Sequence, residues 1–254
     1  MCQAMKGILK EHWRIIMGVI LITMSAVLYT MHFFVFRDAH HIFIYLLGDI
    51  AFIPVEVLFV TLIVHHLITE KEKRSLRQKL NMLVGAFFSE AGTVLLKRFS
   101  GTDPDVKELV DNLKVTDEWV DENFKRKMDF LKRHRYAACM DKSELKDLKT
   151  FLAGKMNFLL SLLANPNLLE HEEFTDLLWA VFHLTEELEK REGFENISDT
   201  DYDHLTGDIN RAYRALTVQW LEYMDHLKLE YPYLFSLAMR TNPFNLEASV
   251  EIRA

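Results

Sequence analysis

Two long apolar runs, separated by a short polar turn, open the chain. The first extends from about Trp13 to Phe36, and the second from about Ile42 to Ile68. A helix needs roughly 20 mainly apolar residues to cross the ~30 Å hydrocarbon core of a bilayer, and each run exceeds that length. We therefore predict a two-helix transmembrane hairpin over residues 1–70.

Basic residues flank both ends of the predicted hairpin. Three precede the first run and five follow the second: Lys6, Lys10 and Arg14, then Lys71, Lys73, Arg74, Arg77 and Lys79. Short segments rich in lysine and arginine stay in the cytoplasm, so we expect both termini to be cytoplasmic, in a plasma (inner) membrane. Lys73, Arg74, Arg77 and Lys79 are also candidates for contact with the inner leaflet, through anionic lipid headgroups.

The second apolar run contains two carboxylates. Asp49 and Glu56 are seven residues apart and therefore share one helix face, as do Ser25 and His32 on the first run. Counting depth from the turn, at ~1.5 Å per residue, places His32 level with Asp49 and Ser25 level with Glu56. We expect these pairs to face each other, with His32 within hydrogen-bond reach of Asp49.

Two interpretations of these polar residues remain open. In the first they join the helices, since polar contacts between membrane helices contribute about 0.6–2 kcal/mol each. In the second they form a proton or cation path, because charged residues inside membranes often mark such paths. Candidates for the outer and inner mouths of that path are Asp38, His40 and His41, then His65, His66 and Glu70. Two helices cannot enclose a pore, so the second interpretation requires an oligomer.

Residues 71–100 predict a basic and amphipathic linker helix. Its apolar positions recur at helical spacing, at Leu80, Leu83, Val84, Phe87, Phe88, Ala91, Val94 and Leu95. Such a helix lies at the inner leaflet or packs against a helical domain. A third span is the weaker alternative, because the run contains Ser89 and Glu90 and would place the charged remainder of the chain outside.

Signals for helix starts continue through residues 101–254, for which we predict a cytosolic α-helical bundle. They are the N-cap candidates Asp103, Thr116, Asn167 and Ser198, the capping-box pair Asp141 and Glu144, and Pro232 at the start of a last short helix. No alternating strand pattern competes with them. The predicted fold class is all-α: a transmembrane hairpin, an amphipathic linker helix and a cytosolic bundle.

Charged clusters in this domain have ordinary explanations. One predicted helix carries His171, Glu172, Glu173, Asp176, His183, Glu186 and Glu187. We interpret these residues as a solvated polar face. Asp199, Asp201 and Asp203 resemble the start of a calcium loop, but the glycine and the final glutamate of that loop are missing. We therefore expect no metal site.

A basic run on another helix has two interpretations. Lys125, Arg126, Lys132 and Arg133 form either a solvated helix face or a contact with inner-leaflet lipid. Nucleic acid is not expected as a partner, because the net charge is −7 and phosphate binding requires a basic surface. The chain has no glycine-rich phosphate loop, serine elbow or Cys-x-x-Cys pair, so we predict no cofactor and no enzymatic activity.

Taken together, these patterns predict an integral membrane protein with a cytosolic helical domain for interaction or signalling. Its expected partners are membrane lipid, further copies of itself in a homo-oligomer, and a cytosolic protein. The alternative function is an oligomeric cation or proton channel. That channel would be lined by Asp49 and Glu56 of the second transmembrane helix and gated by the cytosolic domain.

Overall fold

The computed structural model describes most of the chain, namely residues 2–168, 171–245 and 248–251. Outside this description lie the side chains of residues 2–12, 14 and 74, which include the flanking Lys6, Lys10 and Arg14 and the predicted lipid contact Arg74. All regular secondary structure in the described residues is helical. The chain divides into two compact units, Met1–Lys71 and Glu72–Ala254.

The first unit is a hairpin of α1 (Cys2–Phe36) and the first part of α2 (Ala39–Phe87). Arg37 takes a left-handed conformation with φ of 48° and ends α1 with a backbone hydrogen bond of 2.8 Å. The Asp38 carboxylate then accepts a hydrogen bond of 3.2 Å from the backbone N–H of His41, as an N-cap residue does. Two adjacent residues thus close one helix and open the next.

Large apolar side chains cover the surface of this hairpin. Among the described residues, Ile15–Phe36 and Ala39–Gly101 are the helical stretches long and apolar enough to cross a membrane, by length and composition. The most apolar part of each is not buried at all. Ile22, for example, is 72% exposed and Leu47 is 70% exposed.

The second unit is a helical bundle arranged around α9. After the end of α2 come a π-helical turn (Phe88–Gly92), α3 (Thr93–Gly101), α4 (Val106–Asn112), α5 (Asp121–Arg133), α6 (Lys142–Ala153), α7 (Met156–Leu163), a 3₁₀ turn (Pro166–Leu168), α8 (Glu172–Glu189), α9 (Asp199–Glu230) and α10 (Pro232–Arg240). Helix α9 packs against α3, α5, α8 and α10, and α8 also contacts α6 and α7. The buried apolar side chains of these helices form one core.

The segment treated as a linker in the sequence contributes to this core. Leu80 and Val84 are buried, Phe87 packs edge-on against Phe174 of α8, and Phe88 stacks on Tyr223 of α9. The sequence suggests boundaries near residues 70 and 100, whereas the contacts divide the chain once, between residues 71 and 72. The difference arises because α8 and α9 cover the apolar face of this segment.

The π turn shifts the apolar face of that segment by one position. A π-helical turn bonds residue i to residue i+5 and so contains one residue more than an α-helical turn. After the turn, Leu95, Leu96 and Phe99 are buried. Val94, which regular spacing placed on the apolar face, is instead 37% exposed.

Three of the six helix starts predicted from the sequence agree with the structure, those at Asp141, Ser198 and Pro232. The predictions of Asp103 and Thr116 are wrong, because the N-caps of α4 and α5 are Asp105 and Val120. Asp141 accepts hydrogen bonds of 2.8 Å from the N–H groups of Ser143 and Glu144, and the Glu144 side chain completes the capping box. Ser198 caps α9. At α8 the prediction of Asn167 is wrong: His171 is the N-cap, because Asn167 lies in the preceding 3₁₀ turn.

Candidate functional site

A groove in the first unit brings together polar side chains of α1 and α2. Its volume is about 640 Å³, and it opens to the outside of the hairpin. Ser25 and His32 line it from α1, and His41, Tyr45 and Asp49 line it from α2. Residues that the heptad spacing assigned to facing stripes therefore line a shared surface.

Aromatic contacts surround His32 in this groove. The His32 ring lies 4.7 Å from the Phe36 ring, and it is parallel to the His41 ring at 6.3 Å, measured between centroids. The Nδ1 atom of His32 is buried without a hydrogen-bond partner. In the described structure no hydrogen bond joins His32 to Asp49.

The remaining candidates of the proposed path are spread over the hairpin. Glu56 does not line the groove, so the expected pair with Ser25 is not assembled there. Asp38 is engaged locally as the cap of α2. Five candidates have exposed side chains: His40, Glu56, His65, His66 and Glu70.

The predicted lipid contacts lie on the surface of the second unit. Lys73, Arg77 and Lys79 are exposed along the end of α2, and Lys125, Arg126, Lys132 and Arg133 are exposed along α5. Phe124 and Leu131 form the buried side of α5, so the basic side chains occupy the opposite, solvent-facing side. This arrangement is compatible with both interpretations of the basic run.

A cluster of histidine and carboxylate side chains that was not predicted from the sequence lies between α8 and α9. His183 and Glu187 come from α8, and His204 and Asp208 come from α9. The Nε2 atom of His183 is 3.3 Å from Oδ2 of Asp208, and Nε2 of His204 is 3.5 Å from the same oxygen. Nε2 of His204 is also 3.9 Å from Oε2 of Glu187.

The sequence held a signal for this cluster in two pairs with the same spacing. His183 and Glu187 are four residues apart, as are His204 and Asp208, so each pair lies on one helix face. On one helix alone, His183 and Glu187 have the spacing of a solvated polar face. The packing of α8 against α9 brings the two pairs together.

Two arginines hold the carboxylates of this cluster. Nη1 of Arg191 donates a hydrogen bond of 2.8 Å to Oε2 of Glu187, and hydrogen bonding from Arg191 holds the pKa of Glu187 below its usual range. The same guanidinium makes a two-point contact with Asp201. Nη1 of Arg211 donates a bond of 2.8 Å to Oδ1 of Asp208, which leaves Oδ2 directed toward the histidines.

Comparison with known proteins gives one family and one curated relative. Residues 8–68 match the family model described as the MJ1433 N-terminal helical domain, and residues 76–240 match the MJ1433 C-terminal helical domain. The chain is 43% identical over 235 residues to "Uncharacterized protein MJ1433" of Methanocaldococcus jannaschii, a match covering 92% of this chain and 94% of the relative. No solved structure matches the chain.

Proposed function

The chain belongs to the MJ1433 family and carries both of its helical domains, and from this premise we propose different surroundings for the two domains. The N-terminal domain is a hairpin embedded in the membrane. The C-terminal domain is a cytoplasmic helical bundle that binds a protein partner, and the whole chain is a homo-oligomeric integral membrane protein.

The exposed surface of the hairpin is the observation that carries this proposal. Burying one large apolar side chain is favourable by about 1.5–3 kcal/mol. Ten side chains such as Ile22, Phe34, Val35, Leu47 and Phe59, which are exposed, would therefore forgo about 15–30 kcal/mol in water. That exceeds the usual stability of a whole domain, about 5–15 kcal/mol, and a hydrocarbon environment removes the deficit.

Two further features support the orientation and the role of the bundle. The segment joining α1 and α2 is only Arg37 and Asp38. It holds one basic residue, whereas eight lysines and arginines flank the two apolar runs on the other side, which favours cytoplasmic ends. On the bundle, Leu229 at the end of α9 and Tyr233 and Leu237 on α10 are exposed. Exposed apolar side chains of this size are candidates for a protein contact surface.

Cysteine labelling in intact cells tests the topology. In a chain with both native cysteines replaced by serine, Ala39→Cys reports on the turn and Gly101→Cys reports on the end of α3. We expect an impermeant maleimide to label position 39 from outside and to label position 101 only after permeabilisation. Labelling of position 101 in intact cells, or recovery of the chain in the soluble fraction, would contradict the proposal.

The groove of the hairpin supports a second candidate function, an oligomeric cation or proton channel. His32, His41 and Asp49 bring ionisable groups to one surface between two helices, which is the composition of many proton paths. Reconstituted protein should then carry a cation or proton flux into liposomes, and Asp49→Asn should reduce it. The absence of flux from the wild-type chain over a range of pH and cations would refute the channel.

A further inference from the structure

We propose that α8 and α9 of the second unit bind a divalent transition-metal ion through His183, His204 and Asp208. One ligand atom from each of these residues lies within 4.8 Å of the other two. Two imidazole nitrogens and one carboxylate oxygen form a ligand set suited to zinc and its transition-metal neighbours, whereas calcium and magnesium prefer oxygen ligands alone.

Two of the three distances within the cluster fit ligands that share an ion, and the ligand atoms of the two histidines lie within 4.8 Å of each other. Two atoms that each lie about 2.1 Å from an ion, at a tetrahedral angle, are about 3.4 Å apart. Oδ2 of Asp208 is 3.3 Å from Nε2 of His183 and 3.5 Å from Nε2 of His204. Both histidines therefore direct the same type of nitrogen at the same oxygen with the spacing that coordination requires.

The buried carboxylate is an independent indication that a ligand belongs here. Asp208 is only 2% exposed, and its Oδ1 atom accepts a hydrogen bond from Arg211. Its Oδ2 atom is buried and accepts none. Buried polar atoms are normally satisfied, and an ion between Oδ2 and the two histidines would satisfy this one.

The surroundings of the cluster leave a path for the ion and for water. The side chains of His183 and His204 are 44% and 54% exposed, so the site faces solvent on the side opposite Asp208. Three protein ligands with a fourth position open to water is the arrangement found in zinc sites that are not purely structural. Glu187, held by Arg191, lies 3.9 Å from His204 and is placed to accept a hydrogen bond from that water.

Metal titration of the full chain in detergent tests the proposal. After removal of metals with a chelator, Zn²⁺ is titrated calorimetrically, and Co²⁺ is titrated while its visible absorption is recorded. We expect saturable binding near one ion per chain and an absorption spectrum of low-coordinate Co²⁺. His183→Ala and His204→Ala should each weaken binding more than about a hundredfold, because loss of an outer partner alone costs about 10–100-fold.

A matched variant separates the cluster from general surface effects. Glu189→Gln removes an exposed carboxylate of α8 that lies outside the cluster, and it should bind Zn²⁺ as the wild type does. Because Asp208 is buried, Asp208→Asn could disturb the fold, so its Zn²⁺ binding counts only if its circular dichroism matches that of the wild type. If it does not match, the variants of the two half-exposed histidines decide the outcome. Absence of saturable Zn²⁺ binding to the wild type, or undiminished binding to His183→Ala and His204→Ala, would overturn the site.

Discussion

Glu222→Gln should make the second unit more stable at neutral and alkaline pH. Glu222 lies on α9, where its Oε2 atom accepts a hydrogen bond of 2.9 Å from Gln219. Burial, followed by the charge of Glu173 on α8 and a hydrogen bond to it, raises the pKa of Glu222 to about 7 from 4.5. A neutral glutamine keeps the size of the side chain and removes the charge that this position disfavours.

The sign and size of the effect follow from the difference between the pKa of Glu222 in the folded chain and its pKa in the unfolded chain. The Glu222 carboxyl keeps its proton to a higher pH in the folded chain than in the unfolded chain. Below its unfolded pKa the group therefore costs no stability. As the pH rises from there toward its folded pKa, the free energy of unfolding falls. A pKa of about 7 instead of 4.5 corresponds to a ceiling of about 3 kcal/mol, at 1.36 kcal/mol per pH unit. Partial solvation of Glu222 reduces this to about 1–2 kcal/mol.

Thermal unfolding of the full chain in detergent, followed by tryptophan fluorescence from pH 5 to pH 8, measures this effect. For a domain of this size, that difference in the free energy of unfolding places the Tm of Glu222→Gln about 2–8 °C above that of the wild type at pH 8. The two should nearly coincide at pH 5. Glu122→Gln, which removes an exposed carboxylate of α5, is the matched control and should follow the wild type. If the Tm of Glu222→Gln and the Tm of the wild type changed in parallel from pH 5 to pH 8, the reasoning would be refuted.

Two further predictions concern the core of the second unit. Tyr213 is wholly buried and its hydroxyl has no hydrogen-bond partner in the described structure, so Tyr213→Phe should raise the free energy of unfolding by about 1–3 kcal/mol; a lower Tm would contradict this. A Cβ at Gly92 would come within 2.6 Å of the Phe88 ring, so Gly92→Ala should lower stability by about 1–3 kcal/mol. Gly101→Ala, where nothing lies within 4 Å of the new atom, should cause no loss, and equal melting of the two variants would exclude the clash.

Local signals in the sequence predicted much of the helical structure. The all-helical class, the cap at Asp141, and the start of α9 at Ser198 depend on residues within a few positions of one another, and the structure confirms them. Local spacing did not reveal which partner covers an apolar face. The segment from Leu80 to Phe99 could therefore be expected at a membrane surface or against the bundle, and only its contacts with α8 and α9 decide between them.

The same limit explains the outcome for the candidate sites. Heptad spacing placed Ser25, His32 and Asp49 on facing stripes, and they do line one groove. The expected hydrogen bond between His32 and Asp49 is absent from the described structure, and residue spacing alone does not show which side chain lies beside His32. The cluster around Asp208 joins residues of two helices, and a single sequence without contacts does not show which helices pack together.

The π turn at Phe88–Gly92 is a place where the chain can lose one residue and keep its helical register. Each residue advances an α-helix by about 100°, so losing one residue from a regular stretch of α2 or α3 would rotate everything beyond it out of the core. The turn at Phe88–Gly92 already contains the surplus residue. A deletion there, for instance of the exposed Ser89, would convert the turn to ordinary α-helix and leave Val84 and Leu96 on the same side. This long helix therefore has one place where a codon can be lost without changing which side chains face the bundle.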